Sequence, residues 1–188
     1  MTSMAAEASS PFTVDDLEGM PDDGRRYELI DGELLVSPAP GLPHQRVAGR
    51  LYRLLDDGCP DELEVIIAPF AVRTDDGNEL QPDVLVARRG DLTERLLPKP
   101  PVLVVEVYSP SSRLVDDNLK RAAYARMGVP GYWLVDPAEP SVTVLELAAD
   151  GGYRQVVRVV GDEVLDTDRP FPVRFSAAGL VAPRRPTG

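Results

Sequence analysis

The sequence predicts an α/β (α+β) domain with a mixed central sheet flanked by helices, and three observations carry that prediction. Short runs of strand character recur along the whole chain, separated by Gly, Pro and Asp punctuation. Two longer segments, 43–57 and 113–127, instead space their apolar residues for the face of a helix. The second of these lies between two strand runs, 102–108 and 131–136, so it can serve as a crossover connection within one sheet.

Taken in order, "TVDDLEGM" (13–20) reads as a short helix with Thr13 as its N-cap. "RRYELIDGELLVS" (25–37) is two alternating runs joined by the two-residue turn Asp31-Gly32, the pattern of a tight hairpin. "PHQRVAGRLYRLLDD" (43–57) places Val47, Leu51, Leu54 and Leu55 on one helical face. Strands follow at 63–68, 70–74, 82–88 and 102–108. The 113–127 helix is introduced by the caps of "SPSS" and stopped by Gly128. "GYWLVD" (131–136) is a further strand, and 141–147 with 153–160 reads as an antiparallel meander. Residues 1–10 are expected to form a disordered leader, 11–182 a single domain, and 183–188 a flexible tail.

Bulk composition narrows the function. Twenty Lys+Arg against 31 Asp+Glu give a net charge of −11, which argues against a broad basic surface for nucleic acid but leaves room for a local cationic groove or a metal-binding acid cluster. The single cysteine, Cys59, excludes an internal disulfide and a Cys-based zinc site. No apolar run approaches the length of a membrane span, and the first residues lack the pattern of a secretory signal, so a cytoplasmic location is expected. No GxxxxGK or GxGxxG stretch supports nucleotide hydrolysis.

The chemistry concentrates in a few acids. Alternation along "VLVVEVY" puts Glu106 on a face with Val102, Val104 and Tyr108, in the middle of an apolar strand. In "PDVLVAR", Asp83 shares a face with Leu85 and Ala87. Two anions brought together on neighbouring strands repel, and one has its pKa raised; a divalent cation such as magnesium, held by one or two carboxylates, removes the conflict. The hairpin turn pairs Ile30 with Glu33, so Glu28 and Glu33 share a face and either could complete the cluster. Lys120 is one of only two lysines in a chain whose usual cation is Arg, and it sits on the shoulder of the second helix's apolar stripe. A compact ammonium there can hold a water or steady a developing phosphorane.

The ordered set "YELIDGEL … PH … QPDVLVA … VVEVYSPSS … K … Y … GVPGYWLVD" resembles the Uma-type restriction endonuclease family of the PD-(D/E)XK nuclease superfamily, over about residues 12 to 147. The resemblance implies a restriction-endonuclease-like fold and metal-dependent hydrolysis of DNA phosphodiesters, with Mg2+ (or Mn2+) as cofactor. It further implies that Asp83 and Glu106 hold the metal, with Glu28 assisting. The superfamily places a lysine two residues after the second acid. Here that residue is Tyr108, so Lys120 has to reach back from the helix.

Blander readings stand beside these. Glu106 could be a salt-bridged core acid, Lys120 a partner only of Asp116 at i,i+4, and Tyr124 a packing residue. His44, the sole histidine, reads as a helix-start or surface residue, although with Gln45 it could line a substrate groove. The competing function is a non-catalytic binding or regulatory module that kept the nuclease fold, which the negative charge favours. A homodimer building a shared basic cleft is one way for so acidic a chain to meet DNA.

Overall fold

The computed structural model describes residues 11–109 and 112–183. The expected leader, all but the first residue of the expected tail, and Pro110-Ser111 of the expected helix cap lie outside the described residues.

Helix α1 (Val14–Glu18) opens with a capping box, in which the Thr13 amide donates to Asp16 Oδ2 at 2.7 Å. The hairpin follows as β1 (Arg26–Ile30) and β2 (Glu33–Ser37), paired Ile30 to Glu33 and Glu28 to Leu35. Its turn residues Asp31 and Gly32 take φ of 52° and 77°, the left-handed pair that a two-residue hairpin needs. Gly32 has a second constraint, because a Cβ there would stand 2.6 Å from Pro11 Cβ. Helix α2 (Leu42–Asp56) buries Val47, Ala48, Leu51 and Leu55; Leu54 packs partly buried against the same core, as the periodicity predicts.

The mixed central sheet has six strands. In spatial order it runs through Tyr153–Val160, Ser141–Leu147, Gly131–Asp136, Leu103–Val107, Val84–Arg88 and Leu63–Ile67. Counting along the chain, Leu63–Ile67 is β3, Ala71–Asp75 β4, Asn78–Leu80 β5, Val84–Arg88 β6, Leu96–Leu97 β7, Leu103–Val107 β8 and Gly131–Asp136 β9. Strands β8 and β9 are parallel, as a helical crossover between them requires, while β6 runs antiparallel to β8.

Three short strands join the hairpin in a second, five-stranded sheet of order β2-β1-β5-β4-β7; the sequence signals β4, whereas local alternation does not reveal β5 and β7. Past the meander, β10 (Ser141–Leu147) and β11 (Tyr153–Val160), a small hairpin of Val164–Thr167 and Val173–Ser176 and a final helix, Ala177–Val181, complete the chain.

Alternation along β8 divides the core between the two faces of the central sheet. Leu103, Val105 and Val107 pack with α2 and the C-terminal elements. Val104 faces the other way, onto Ile30 and Leu80 of the second sheet and onto Ala123 and Tyr124 of the crossover helix. Glu106 belongs to that second face. The crossover is a π-helical turn (Val115–Lys120) continued by α3 (Arg121–Met127), which ends at Gly128 with φ 80°. The Tyr132 hydroxyl donates to the Asp116 carbonyl at 3.0 Å, a side-chain insertion of the kind that accompanies a widened helical turn.

Candidate functional site

The β6–β8 register pairs Val84 with Val105, and one further step sets Asp83 opposite Glu106. Both acids are buried, at 2% and 1% exposure. Asp83 Oδ2 accepts the Val107 amide at 2.8 Å, which fixes the carboxylate against the end of β8. Its Oδ1 takes Arg26 Nη1 at 3.0 Å and lies 3.2 Å from His44 Nε2. Glu106 Oε1 accepts from Lys120 Nζ at 3.1 Å and from the Tyr124 hydroxyl at 2.8 Å. Lys120 Nζ is also 3.1 Å from Glu28 Oε1, which accepts the Gln81 amide at 2.8 Å. Asp116 Oδ1 is 3.9 Å from the same ammonium.

The lysine therefore spans the two layers: the second sheet supplies Glu28, the central sheet Glu106, and the crossover helix the amine between them. Tyr108, where the resemblance leads one to expect a lysine, turns its hydroxyl to Asp117. The ammonium beside Glu106 is that of Lys120, from the crossover helix.

Of the sequence candidates, Asp83, Glu106, Lys120, Glu28, Tyr124 and His44 come together. His44 is not the capping or surface residue its position suggests; α2 starts at Leu42 and its first turn carries the imidazole to Asp83. Glu33 is exposed, because it closes the hairpin at the turn, and Gln45 is exposed on α2; neither joins the cluster. Arg26 is a member the sequence reading does not include, and Asp116 enters that reading only as an i,i+4 partner of Lys120. Arg26 shares the alternating face of Glu28 and Ile30, so the hairpin pattern carried a signal for it. Asp116 reads as an ordinary first-turn acid, and the π-helical turn brings it inward.

Together these groups border a cleft of about 530 Å3 lined by Arg26, Glu28, His44, Asp83, Glu106 and Lys120, among others. Burial works against the charge of Asp83, yet His44, Arg26 and Lys120 outweigh it and hold its pKa at about 2. Glu106 goes the other way: burial raises its pKa well above the carboxylate range, and Asp83, Asp116 and Glu28 add to the rise against the pull of Lys120. Asp116 is pushed up to about 6, chiefly by burial. Burial also opposes the charge of Lys120, but the surrounding acids raise its pKa.

These directions set a pH dependence of stability. Asp116 and Glu106 bind protons more readily folded than unfolded, so unfolding free energy in chelator-containing buffer should rise as pH falls from about 8 to about 5, with Asp116 contributing on the order of 1–1.5 kcal/mol over that window. Below about pH 4 the trend should reverse, because Asp83 takes up a proton more readily unfolded than folded. Urea titrations across that range check it, and Asp116→Asn should flatten the upper limb; a wild-type curve level between pH 5 and 8 would contradict the assignment.

The donor set fits a magnesium-type ion. Four buried acids, Glu28, Asp83, Glu106 and Asp116, face two permanent cations, Arg26 and Lys120. Asp116 Oδ1 and His44 Nδ1 are buried without a hydrogen-bond partner among the described residues. Among those residues no group of three or more His, Cys, Asp or Glu side chains is placed to hold a metal ion by itself. Magnesium needs only one or two carboxylates and otherwise keeps its waters. Arg26 does amend the sequence expectation, since part of the repulsion is met by a protein cation.

The Uma2 family, described as "Putative restriction endonuclease", matches residues 14–180. No curated protein matches the chain. Among solved structures, a putative nuclease belonging to DUF820 from Anabaena variabilis superposes with a TM-score of 0.69 at 17% identity, over 91% of this chain and 98% of that one. The likeness establishes a shared mixed α/β fold.

Proposed function

The chain belongs to the Uma2 family, and from that premise and the geometry above we propose that it is a metal-dependent endonuclease hydrolysing phosphodiester bonds of DNA. The observation that carries the reading is the convergence of Asp83 and Glu106 from adjacent strands on one cleft, with the Lys120 ammonium held on Glu106. Asp83 and Glu106 would hold Mg2+ or Mn2+, and the ion, when bound, supplies Lewis-acid polarisation of a phosphoryl oxygen and a water of lowered pKa.

The remaining work falls to the chain's own groups. Lys120 keeps a fixed positive charge beside Glu106, where negative charge develops on a phosphoryl group in transit. Glu28 anchors that ammonium from the opposite sheet and is itself oriented by the Gln81 amide. The Tyr124 hydroxyl fixes the Glu106 carboxylate, and Arg26 with His44 fixes Asp83.

The −11 charge favours a second reading, a nuclease-fold module that binds without cutting. In support of catalysis, a non-catalytic module gains nothing from four buried acids of which two are pushed toward protonation. Among the described residues no helix is long and apolar enough to cross a membrane. A plasmid-nicking assay tests the proposal: wild-type protein should convert supercoiled DNA to the open-circular form with Mg2+ or Mn2+ and cease on chelation. Binding of DNA without any cleavage under either metal would leave the module reading standing.

A further inference from the structure

Beside the acidic cleft lies a second cavity of about 620 Å3, within the roughly 300–1,000 Å3 range of small-ligand pockets. Gly41, His44 and Ser109 line both, so the two adjoin. The cavity sits past the carboxyl ends of the parallel strands β8 and β9, where Tyr108 follows one and Asp136 closes the other. Sheets with parallel strands commonly bind ligands at that end.

Arg113 is its most distinctive residue. Its Nη1 lies 3.0 Å from Asp136 Oδ2, and its Cζ stands 4.8 Å from the Tyr108 ring centroid. Asp136 is itself fixed, since Oδ1 accepts the Ala138 and Glu139 amides at 2.9 and 3.1 Å. Oδ2 is buried with no hydrogen-bond partner among the described residues, so the Arg113 ion pair is what offsets its charge. Tyr108 is held by its hydroxyl on Asp117. The guanidinium is thus pinned by a carboxylate and a ring, yet its side chain remains 52% exposed.

None of the hydrolytic roles above uses this arrangement. A guanidinium held in a plane presents further N–H donors to a phosphate and a flat cationic face to a nucleobase. Pro43, Pro137 and Ala138 give the cavity apolar lining, and the carboxylate in its lining, Asp136, is the one paired with Arg113.

We propose that this cavity receives one unstacked nucleotide of the DNA strand, next to the diester held at Asp83 and Glu106, with its base between the proline walls and its phosphate on Arg113. The proposal rests on the endonuclease reading and narrows its substrate class to single-stranded or locally unpaired DNA. A cavity of this kind takes one base at a time, and a paired base must first leave its stack. Arg113 gives an acidic chain a pre-organised point of attachment for a polyanion, where an unconstrained arginine would lose side-chain entropy on binding.

The test is fluorescence anisotropy with a labelled single-stranded oligonucleotide and its duplex, with Ca2+ in place of Mg2+ to limit turnover. Wild type should bind the single strand more tightly than the duplex. Arg113→Ala should weaken single-strand binding by about 10-fold or more, and Arg113→Lys by less, because it keeps the charge but not the plane. Since Arg113→Ala strands Asp136 and can unfold the protein, Ala138→Trp, which fills the cavity from an exposed wall position, provides a second variant with the same expected loss; thermal melting confirms that it is folded. Equal single-strand affinity for wild type and folded Ala138→Trp overturns the cavity's role, as does a wild-type preference for duplex, while leaving metal-dependent nicking intact. Failure of wild type to bind either DNA, together with no nicking, removes the DNA reading and this proposal with it.

Discussion

Lys120→Met should cost about 3–5 kcal/mol of unfolding free energy near pH 8 and eliminate measurable nicking. The ammonium is the shared counter-charge of Glu28 and Glu106, at 3.1 Å from each, and stands 3.9 Å from Asp116, with every one of these side chains buried. Methionine fills similar volume but leaves those acids to meet one another in a poorly solvated space. The loss should shrink as pH falls toward 5, because Glu106 and Asp116 are already predisposed to take a proton, and removing the lysine moves both further in that direction. Chemical denaturation at pH 8 and pH 5 checks the sign. A stability unchanged at pH 8 would mean that the buried ammonium contributes nothing to holding the acids together.

Glu106→Gln and Asp83→Asn should each lower the nicking rate by at least about 10²–10³-fold, while their effects on stability differ. Glutamine at 106 keeps an oxygen for Lys120 and Tyr124 and removes a charge that burial disfavours, so the folded state near pH 8 should be as stable as wild type or more so. Asparagine at 83 removes a carboxylate whose charge the protein favours through His44, Arg26 and Lys120, so stability should fall. Loss of activity with retained or increased stability at Glu106 separates a functional acid from a structural one. Both rates and both stabilities are measurable on the same preparations, and full activity in Glu106→Gln would place the chemistry elsewhere.

Much of this site is legible in the sequence, for a physical reason. A strand alternates faces every residue, so a lone acid inside "VLVVEVY" is bound to be buried wherever the strand sits. The same rule, applied to the hairpin turn, puts Glu28 and Glu33 on one face without choosing between them; the choice falls to Glu28 because Glu33 sits at the exposed turn end. Lys120 stands out because lysine is rare in this chain.

What alternation does not report is which strands pair. The short strands Asn78–Leu80 and Leu96–Leu97, and with them the second sheet that carries Glu28 and Arg26 over the cluster, depend on contacts distant in sequence. The C-terminal hairpin and helix are hidden by their shortness, four-residue strands and a five-residue helix being too brief for periodicity to register. Helical period gives Asp116 only as an i,i+4 partner of Lys120; its burial among the acids comes with the π-helical turn, which has more residues per turn than the 3.6 on which sequence reading relies. His44 needed the tertiary structure, since only the packing of α2 beside β6 carries it to Asp83.

The central claim is that Asp83 and Glu106 converge as a seat for a dication, and calorimetric titration with Mn2+ tests it most directly. Wild type should take up the ion with heat that vanishes in Asp83→Ala and Glu106→Ala and persists in a surface variant such as Glu33→Ala. Heat identical in wild type and Asp83→Ala, or none in either, would mean that Arg26, His44 and Lys120 alone account for the buried acids, and the metal-dependent reading would be wrong.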